Sequence, residues 1–312
     1  MDELVSLANH YFVDPYILGT VTADDSQYTV KRQFLVMWAL LYAGSLFIYF
    51  VLATMTYRMF FTNSKEKSAN FVAWQYDREQ IVNEIFTSVW SLCIMAGMTA
   101  PFEIAVMYGY AKVYDRVDDY GWAYLIASPF LFLLFTDSLI YWIHRGLHWG
   151  PLYKIHKLHH KYKDTTPFSA FSFHPLDGWS QGAPYHIFVF CFPMHKYLYA
   201  ITLFTVGLWT INIHDRVTFN LWGVNGAAHH TIHHTKFNYN YGQYFIFWDY
   251  ICGTYKDPLT ISPYTERSNM VLYNVPTVDG KGANGIYGLS ASSEIQESKA
   301  PVLSKKKSKK AE

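Results

Sequence analysis

Fourteen histidines occur in this chain of 312 residues, and eight of them fall in three short runs. His144 and His148 belong to HRGLH, His156, His159 and His160 to HKLHH, and His230, His233 and His234 to HTIHH. The last two runs repeat one pattern, H-x-x-H-H. Positions i, i+3 and i+4 share a helix face, so each run is expected to point two or three imidazoles in one direction. Neutral imidazole suits Fe, Zn, Cu and Ni. Eight such groups exceed the needs of one ion, and the count predicts two metals.

The other ligand types narrow the class. No glutamate lies between Glu103 and Glu266. HExxH, the zincin pattern with glutamate as base, is absent. So are the four-helix glutamates and Glu-x-x-His of ferritin-like di-iron proteins, and the H-x-E with P-C-x-x-C of zinc deaminases. Cys93, Cys191 and Cys252 are odd in number and widely spaced, which argues against both a disulfide framework and thiolate ligation. A nitrogen-ligand site remains, with aspartate in support. Asp137 stands seven residues before His144, two turns away on the same helix face, where a carboxylate can take the second N–H of a ligand histidine and fix its tautomer. Asp215 and Asp249 are candidates for the same role, the alternative for each being a helix cap or an ion pair.

The elements that carry these residues are apolar. Hydrophobic residues make up 51% of the chain, charged residues 16% and aromatics 19%, with a net charge of +1. That balance offers no case for nucleic acid and suits a membrane protein with interfacial aromatic belts. Phe34–Tyr57, Ile85–Phe102 and Gly121–Ile143 are long enough to cross about 30 Å of hydrocarbon. A fourth apolar region, Tyr185–Ile213, is interrupted by Phe192-Pro193-Met194-His195, and proline removes a helix hydrogen bond. It reads as two short helices in a broken or re-entrant hairpin. The expected fold is an all-α polytopic membrane protein: about four transmembrane or re-entrant segments under a histidine-rich di-metal cap. A polar segment at 1–33 with no secretory signal pattern, an embedded domain at 34–258 and a largely disordered tail at 259–312 complete the division. Lys309-Lys310-Ala311-Glu312 resembles a dilysine endoplasmic-reticulum retrieval signal.

Charge orients the spans. Arg58, Lys65, Lys67 and Arg78 follow the first, and Lys154, Lys157, Lys161 and Lys163 follow the third. The positive-inside rule puts both groups, and the histidines, in the cytosol.

Longer motifs surround the three runs: FHPLDG at 173–178, IHD at 213–215, NGAAHHTIHH at 225–234, FNYNYGQ at 237–243 and WDYICGTY at 248–255. Over about residues 120–258 the chain resembles the fatty-acid hydroxylase/sterol desaturase superfamily of membrane di-iron enzymes. SFHPLDG, PYHIF, FPMHK, IHD and NYNYGQ are most similar to its Δ7-sterol C-5(6)-desaturase branch. The resemblance implies two irons that activate O2 and the removal of two neighbouring hydrogens to leave a C-5/C-6 double bond. It implies His144, His148, His156, His159, His160, His230, His233 and His234 as ligands, with His214 as a ninth. His174, followed by Pro175 and so expected near a turn, is a weaker ligand candidate, with a role supporting a ligand as the equal alternative. His229 offers another register for the third run, but His230 reproduces the spacing of the second. His186 belongs to PYHIF without being in a ligand run, and His10 and His195 lie outside every motif.

No dinucleotide fingerprint and no HPGG haem motif occur in the chain, so electrons must come from a partner. In the family these flow from NADH through cytochrome b5 and its reductase, and the lysines at 154–163 offer a basic face for an acidic donor. The expected substrate is a sterol from membrane lipid, with Phe168, Phe171, Phe173 and Trp179 either facing it or packing the cap. A lipid hydroxylase on the same fold (a sterol C-4 methyl oxidase or sphingoid-base hydroxylase) is the alternative, and a membrane metal transporter the more distant one. The topology has a direct test. A glycosylation site placed at 109–120 is expected to be modified and one at 62–84 to stay bare; modification at 62–84 would overturn the orientation.

Overall fold

The computed structural model describes residues 2–8, 10–11, 30–62, 77–215, 217–219, 221–258 and 271–273. Lys65, Lys67, most of the amino-terminal segment, most of the tail and the dilysine sequence lie outside the described residues.

Three long helices form the frame: α2 (Val30–Tyr57, continued to Thr62 by a wider turn), α3 (Arg78–Met107) and α4 (Gly121–Leu147). A short α1 (Asp2–Ala8) sends Val5 into the α2–α3 interface. Val30–Phe61, Arg78–Met107 and Gly121–Leu147 are long and apolar enough to cross a membrane. Two of the three run beyond the apolar stretches in sequence at both ends and α4 does so at one, because polar first and last turns continue a helix after its hydrocarbon section. The start of α3 is fixed by Asp77, whose carboxylate accepts the Gln80 N–H at 3.0 Å, a side-chain cap for an otherwise unpaired donor.

α4 shows why this is a membrane fold. Trp122, Ile126, Phe130 and Leu134, one helical turn apart, are all at least 60% exposed. Ser128, Thr136, Asp137 and His144 on the other face are buried. Apolar outside and polar inside inverts the pattern of a water-soluble helix. Thr136 and Ser138 return their hydroxyl protons to the Phe132 and Leu134 carbonyls, which satisfies them without solvent.

After a short α5 (Tyr153–His156), α6 (Pro175–Cys191) and α7 (Lys196–His214) make an antiparallel pair. The interruption falls where Pro193 predicts it. α6, however, begins ten residues before the apolar stretch, because His174 accepts the Leu176 N–H and Pro175 occupies the first turn, where a missing N–H costs nothing. The hairpin turn reaches the connection between α3 and α4. β1 (Val113–Tyr114) pairs in parallel with β2 (Met194–His195), and Lys112 donates its N–H to Val189 at 2.7 Å. The pair thus runs the length of the bundle and returns, at about 1.5 Å per residue, to the end where the histidines lie.

The cap is small. β3 (Val217–Phe219) leads to α8 (Ala227–Lys236) and α9 (Phe247–Ile251). Within the segment expected to be largely disordered, β4 (Val271–Tyr273) pairs in parallel with β3. Glu103 of α3, His186 of α6 and Tyr199 of α7 tie three helices together. Tyr199 Oη donates to Glu103 Oε1 at 2.8 Å and His186 Nδ1 lies 2.9 Å from the same oxygen.

Candidate metal centre

Nine histidines converge at the cap end of the bundle, in two groups. His144, His148, His156, His160 and His233 form one, and His159, His214, His230 and His234 the other; within each, the ligand nitrogens all lie within 4.8 Å of one another. The runs therefore do not each aim in one direction, as helix spacing alone led us to expect. Each H-x-x-H-H run straddles both groups. His156 and His160 go to the first group while His159 goes to the second. His230 and His234 go to the second while His233 goes to the first. The two runs exchange roles, and one residue of each crosses over.

Hydrogen bonds on the outer nitrogens decide what the inner ones present. Nδ1 of His144 faces the Tyr241 carbonyl at 2.9 Å, that of His233 the Tyr239 carbonyl at 2.8 Å, that of His214 the Thr210 carbonyl at 2.7 Å, and that of His234 the Tyr162 carbonyl at 3.2 Å. Nδ1 of His156 faces Asp177 Oδ2 at 2.8 Å. A carbonyl or carboxylate only accepts, so in all five Nδ1 carries a proton and Nε2 is the nitrogen turned inward, the one a metal would take. Nδ1 of His159 and of His160 has no partner among the described residues.

Neutrality follows from burial. Loss of water, reinforced by neighbouring imidazoles, pushes His148 down to about 3 and holds His159, His160, His230, His233 and His234 below the usual histidine range. His144 Nε2 and His156 Nε2 then stand 3.2 Å apart, each with its proton committed elsewhere. Two lone pairs at that separation share no hydrogen. A cation among them removes the conflict, and an all-imidazole set suits a first-row transition metal. The residues present fit a metal in each group. Phe173 packs on His159, Phe237 on His160 and Tyr241 on His144, His148 and His233, with ring centroids 4.8 to 5.5 Å apart. These rings cover part of the site with apolar surface.

The supporting residues differ in part from the sequence-based candidates. Asp137 touches no histidine. Its Oδ1 accepts the backbone N–H groups of Gln243, Tyr244 and Phe245 at 2.7 to 3.3 Å, because the 241–245 loop lies across α4 between it and the cluster. Asp249 likewise accepts from Tyr241 N, Gly242 N and the Thr254 hydroxyl. The two carboxylates fix the loop whose Tyr241 carbonyl aims His144, so they act one bond further out than expected. At Gly242 a side chain would collide with the Phe245 carbonyl and press on Asn225 and Asp249. Asp215 accepts from Asn212 and from Val217 N, closing the turn after α7. His174 caps α6 and sets its ring against Trp90, away from both groups. His229 meets the Gly226 N–H and Tyr255 instead of the cluster. His195 contacts the Asp115 carbonyl at the far end of the bundle.

Asp177 is the residue that sequence reasoning missed. It is fully buried, braced by Gln181 Nε2 at 2.7 Å, and accepts the Nδ1–H of His156 at 2.8 Å. Its signal was its place in FHPLDG, three residues into a helix that starts beside the cluster.

A cavity of about 440 Å³ runs from the histidines down between α2, α6 and α7. His144, His159, His214 and His230 form one end of it, Phe171, Phe173 and Trp179 line it, and His186 lies along it. Phe168 does not: it packs on Tyr49 and Tyr57 in the core. The cavity thus joins members of both groups to an apolar slot within the membrane helices.

A family model described as fatty acid hydroxylase matches residues 129–254. Lathosterol oxidase of Rattus norvegicus is 41% identical over 281 residues, which are 86% of this chain and 91% of that one. Lathosterol oxidase of Homo sapiens is 40% identical over 265 residues, 83% of this chain and 86% of that one. A Delta(7)-sterol 5(6)-desaturase of Schizosaccharomyces pombe is 44% identical over 231 residues, 73% of this chain and 69% of that one. No solved structure matches the chain.

Asp177→Ala is expected to lower metal affinity about 10- to 100-fold, the usual effect of losing the partner of a ligand histidine, and His156→Ala to lower it further. His195→Ala is expected to leave it unchanged. Elemental analysis of the purified proteins reads all three, and retention of both metals in His156→Ala would sink the ligand set.

Proposed function

This chain belongs to the fatty acid hydroxylase family, alongside lathosterol oxidases and Δ7-sterol 5(6)-desaturases, and on that footing we propose that it is a membrane oxidoreductase that converts Δ7-sterols to Δ5,7-sterols. The observation that carries the proposal is the joining of two imidazole groups to one apolar cavity between membrane helices. Two irons held there supply the activation of O2 that an unactivated C–H bond requires. Their ligands are His144, His148, His156, His160 and His233 on one side and His159, His214, His230 and His234 on the other.

The chain's own groups do the rest. Tyr241, Tyr239, Thr210 and Tyr162 carbonyls and the Asp177 carboxylate keep five rings in one tautomer, so the nitrogens need no rearrangement when metal binds. Phe171, Phe173 and Trp179 give a flat sterol broad apolar contact with few rotamers to lose. The cavity offers an apolar substrate a slot that reaches from the membrane helices to the histidines. The balance closes with two electrons and two protons from outside: the substrate loses two hydrogens, and O2 becomes two waters.

We assign those electrons to NADH through cytochrome b5 and its reductase. Lys154, Lys157, Lys161 and Lys163 are exposed beside the second histidine run, a basic face suited to an acidic donor. The same lysines support a cytosol-facing site, and we place the protein in the endoplasmic reticulum membrane.

Expression in a cell lacking its own C-5 desaturase is expected to turn accumulated Δ7-sterols into conjugated dienes, read by ultraviolet absorption and by a mass loss of two hydrogens. The conversion is expected to need O2 and cytochrome b5. A product heavier by one oxygen would make the chain a lipid hydroxylase instead.

A further inference from the structure

Ring geometry restricts where a sterol's hydroxyl can lie. C-3, which carries it, is two bonds from C-5, so a sterol reacting at C-5 and C-6 holds its hydroxyl at the histidine end of the cavity. The Glu103–His186–Tyr199 cluster is too far away to meet it. His186 is nine residues beyond Asp177 on α6, about 13 Å of helix, and Tyr199 is fifteen residues from His214 on α7, about 22 Å. The polar group that reads the hydroxyl must belong to the wall beside the metal ligands.

Three residues of the cavity wall near that end have side chains that can both donate and accept, Thr210, Gln181 and Gln243; Trp179 Nε1, without a partner among the described residues, can only donate. Thr210 gives its hydroxyl proton to the Val206 carbonyl. Gln181 gives its amide N–H to Asp177. Gln243 differs from both. Its backbone N–H goes to Asp137 and its backbone carbonyl takes the Trp209 indole N–H at 2.7 Å. Its side-chain amide has no hydrogen-bond partner among the described residues, and both a donor and an acceptor remain. A hydroxyl also offers one donor and an acceptor. The main chain of Gln243 is held on both sides, two residues from the Tyr241 carbonyl that orients His144. With the backbone fixed, only the rotamer freedom of the side chain is left to be ordered on binding.

We propose that the Gln243 amide binds the 3-hydroxyl of the sterol and so sets which ring bond meets the metals. The inference rests on the desaturase assignment above. Its test is direct binding, measured with a radiolabelled Δ7-sterol and its 3-deoxy analogue on the purified full-length protein in detergent. The wild type is expected to favour the hydroxyl sterol about ten-fold, the scale of one good hydrogen-bonded pair. In Gln243→Met, close to glutamine in size, that ratio is expected to fall to about one, with the 3-deoxy affinity unchanged. Gln243→Leu gives the same reading should the methionine variant fail to fold. An unchanged ratio in a folded variant, or an equal loss for both sterols, would overturn the inference alone. Wild-type protein that binds neither sterol would overturn the desaturase assignment and this inference together.

Discussion

Everything at the cap end of this molecule depends on protons being kept off one set of nitrogens. Five imidazoles have Nδ1 on an oxygen that only accepts, so five Nε2 atoms turn inward beside a wall of aromatic rings. Without a cation such a cluster is electrostatically unfavourable. Four of the five oxygens are main-chain carbonyls, which cannot be changed by substitution at their own position. The ligand orientation is therefore built into the course of the backbone, and α4, α7, the 239–241 loop and the chain at Tyr162 must all be in register for the lone pairs to meet.

That requirement explains the placement of the buried aspartates. Asp137 sits in a membrane helix, where an ionisable group is costly and functional by default. It is spent on three backbone N–H groups of one loop, and Asp249 on two more. Both neutralise donors that would otherwise be unpaired in an apolar setting, and both hold the Tyr241 carbonyl against His144. Asp177 alone works directly on a ligand. The same α6 that presents it carries Trp179 and Gln181 along the cavity, so one rigid helix sets both a metal ligand and a wall of the binding slot.

Much of this was legible in the sequence, because the strongest signals were local. The long apolar runs and the break at Pro193 depend only on neighbouring residues, and those helices formed where they pointed, whereas of the two H-x-x-H-H runs only 230–234 lies within one helix and 156–160 passes from the end of α5 through a turn into a 3-10 turn. The division of each histidine run between two groups was not legible. It depends on how α8 and the 156–161 segment face each other across the site, which no single run encodes. Asp137 was found as a buried carboxylate but given the wrong partner, since its distance along α4 from His144 says nothing of the loop lying between. Asp177 stood inside a motif that had been noted for its likeness to the family. Its role became visible only when α6 was seen to start at Pro175, placing its first turn against His156.

Each H-x-x-H-H run places histidines in both groups, so a shift of either α8 or the 156–161 segment moves nitrogens of both groups at once. The two groups therefore share their supports, and a substitution that displaces one segment is felt in both.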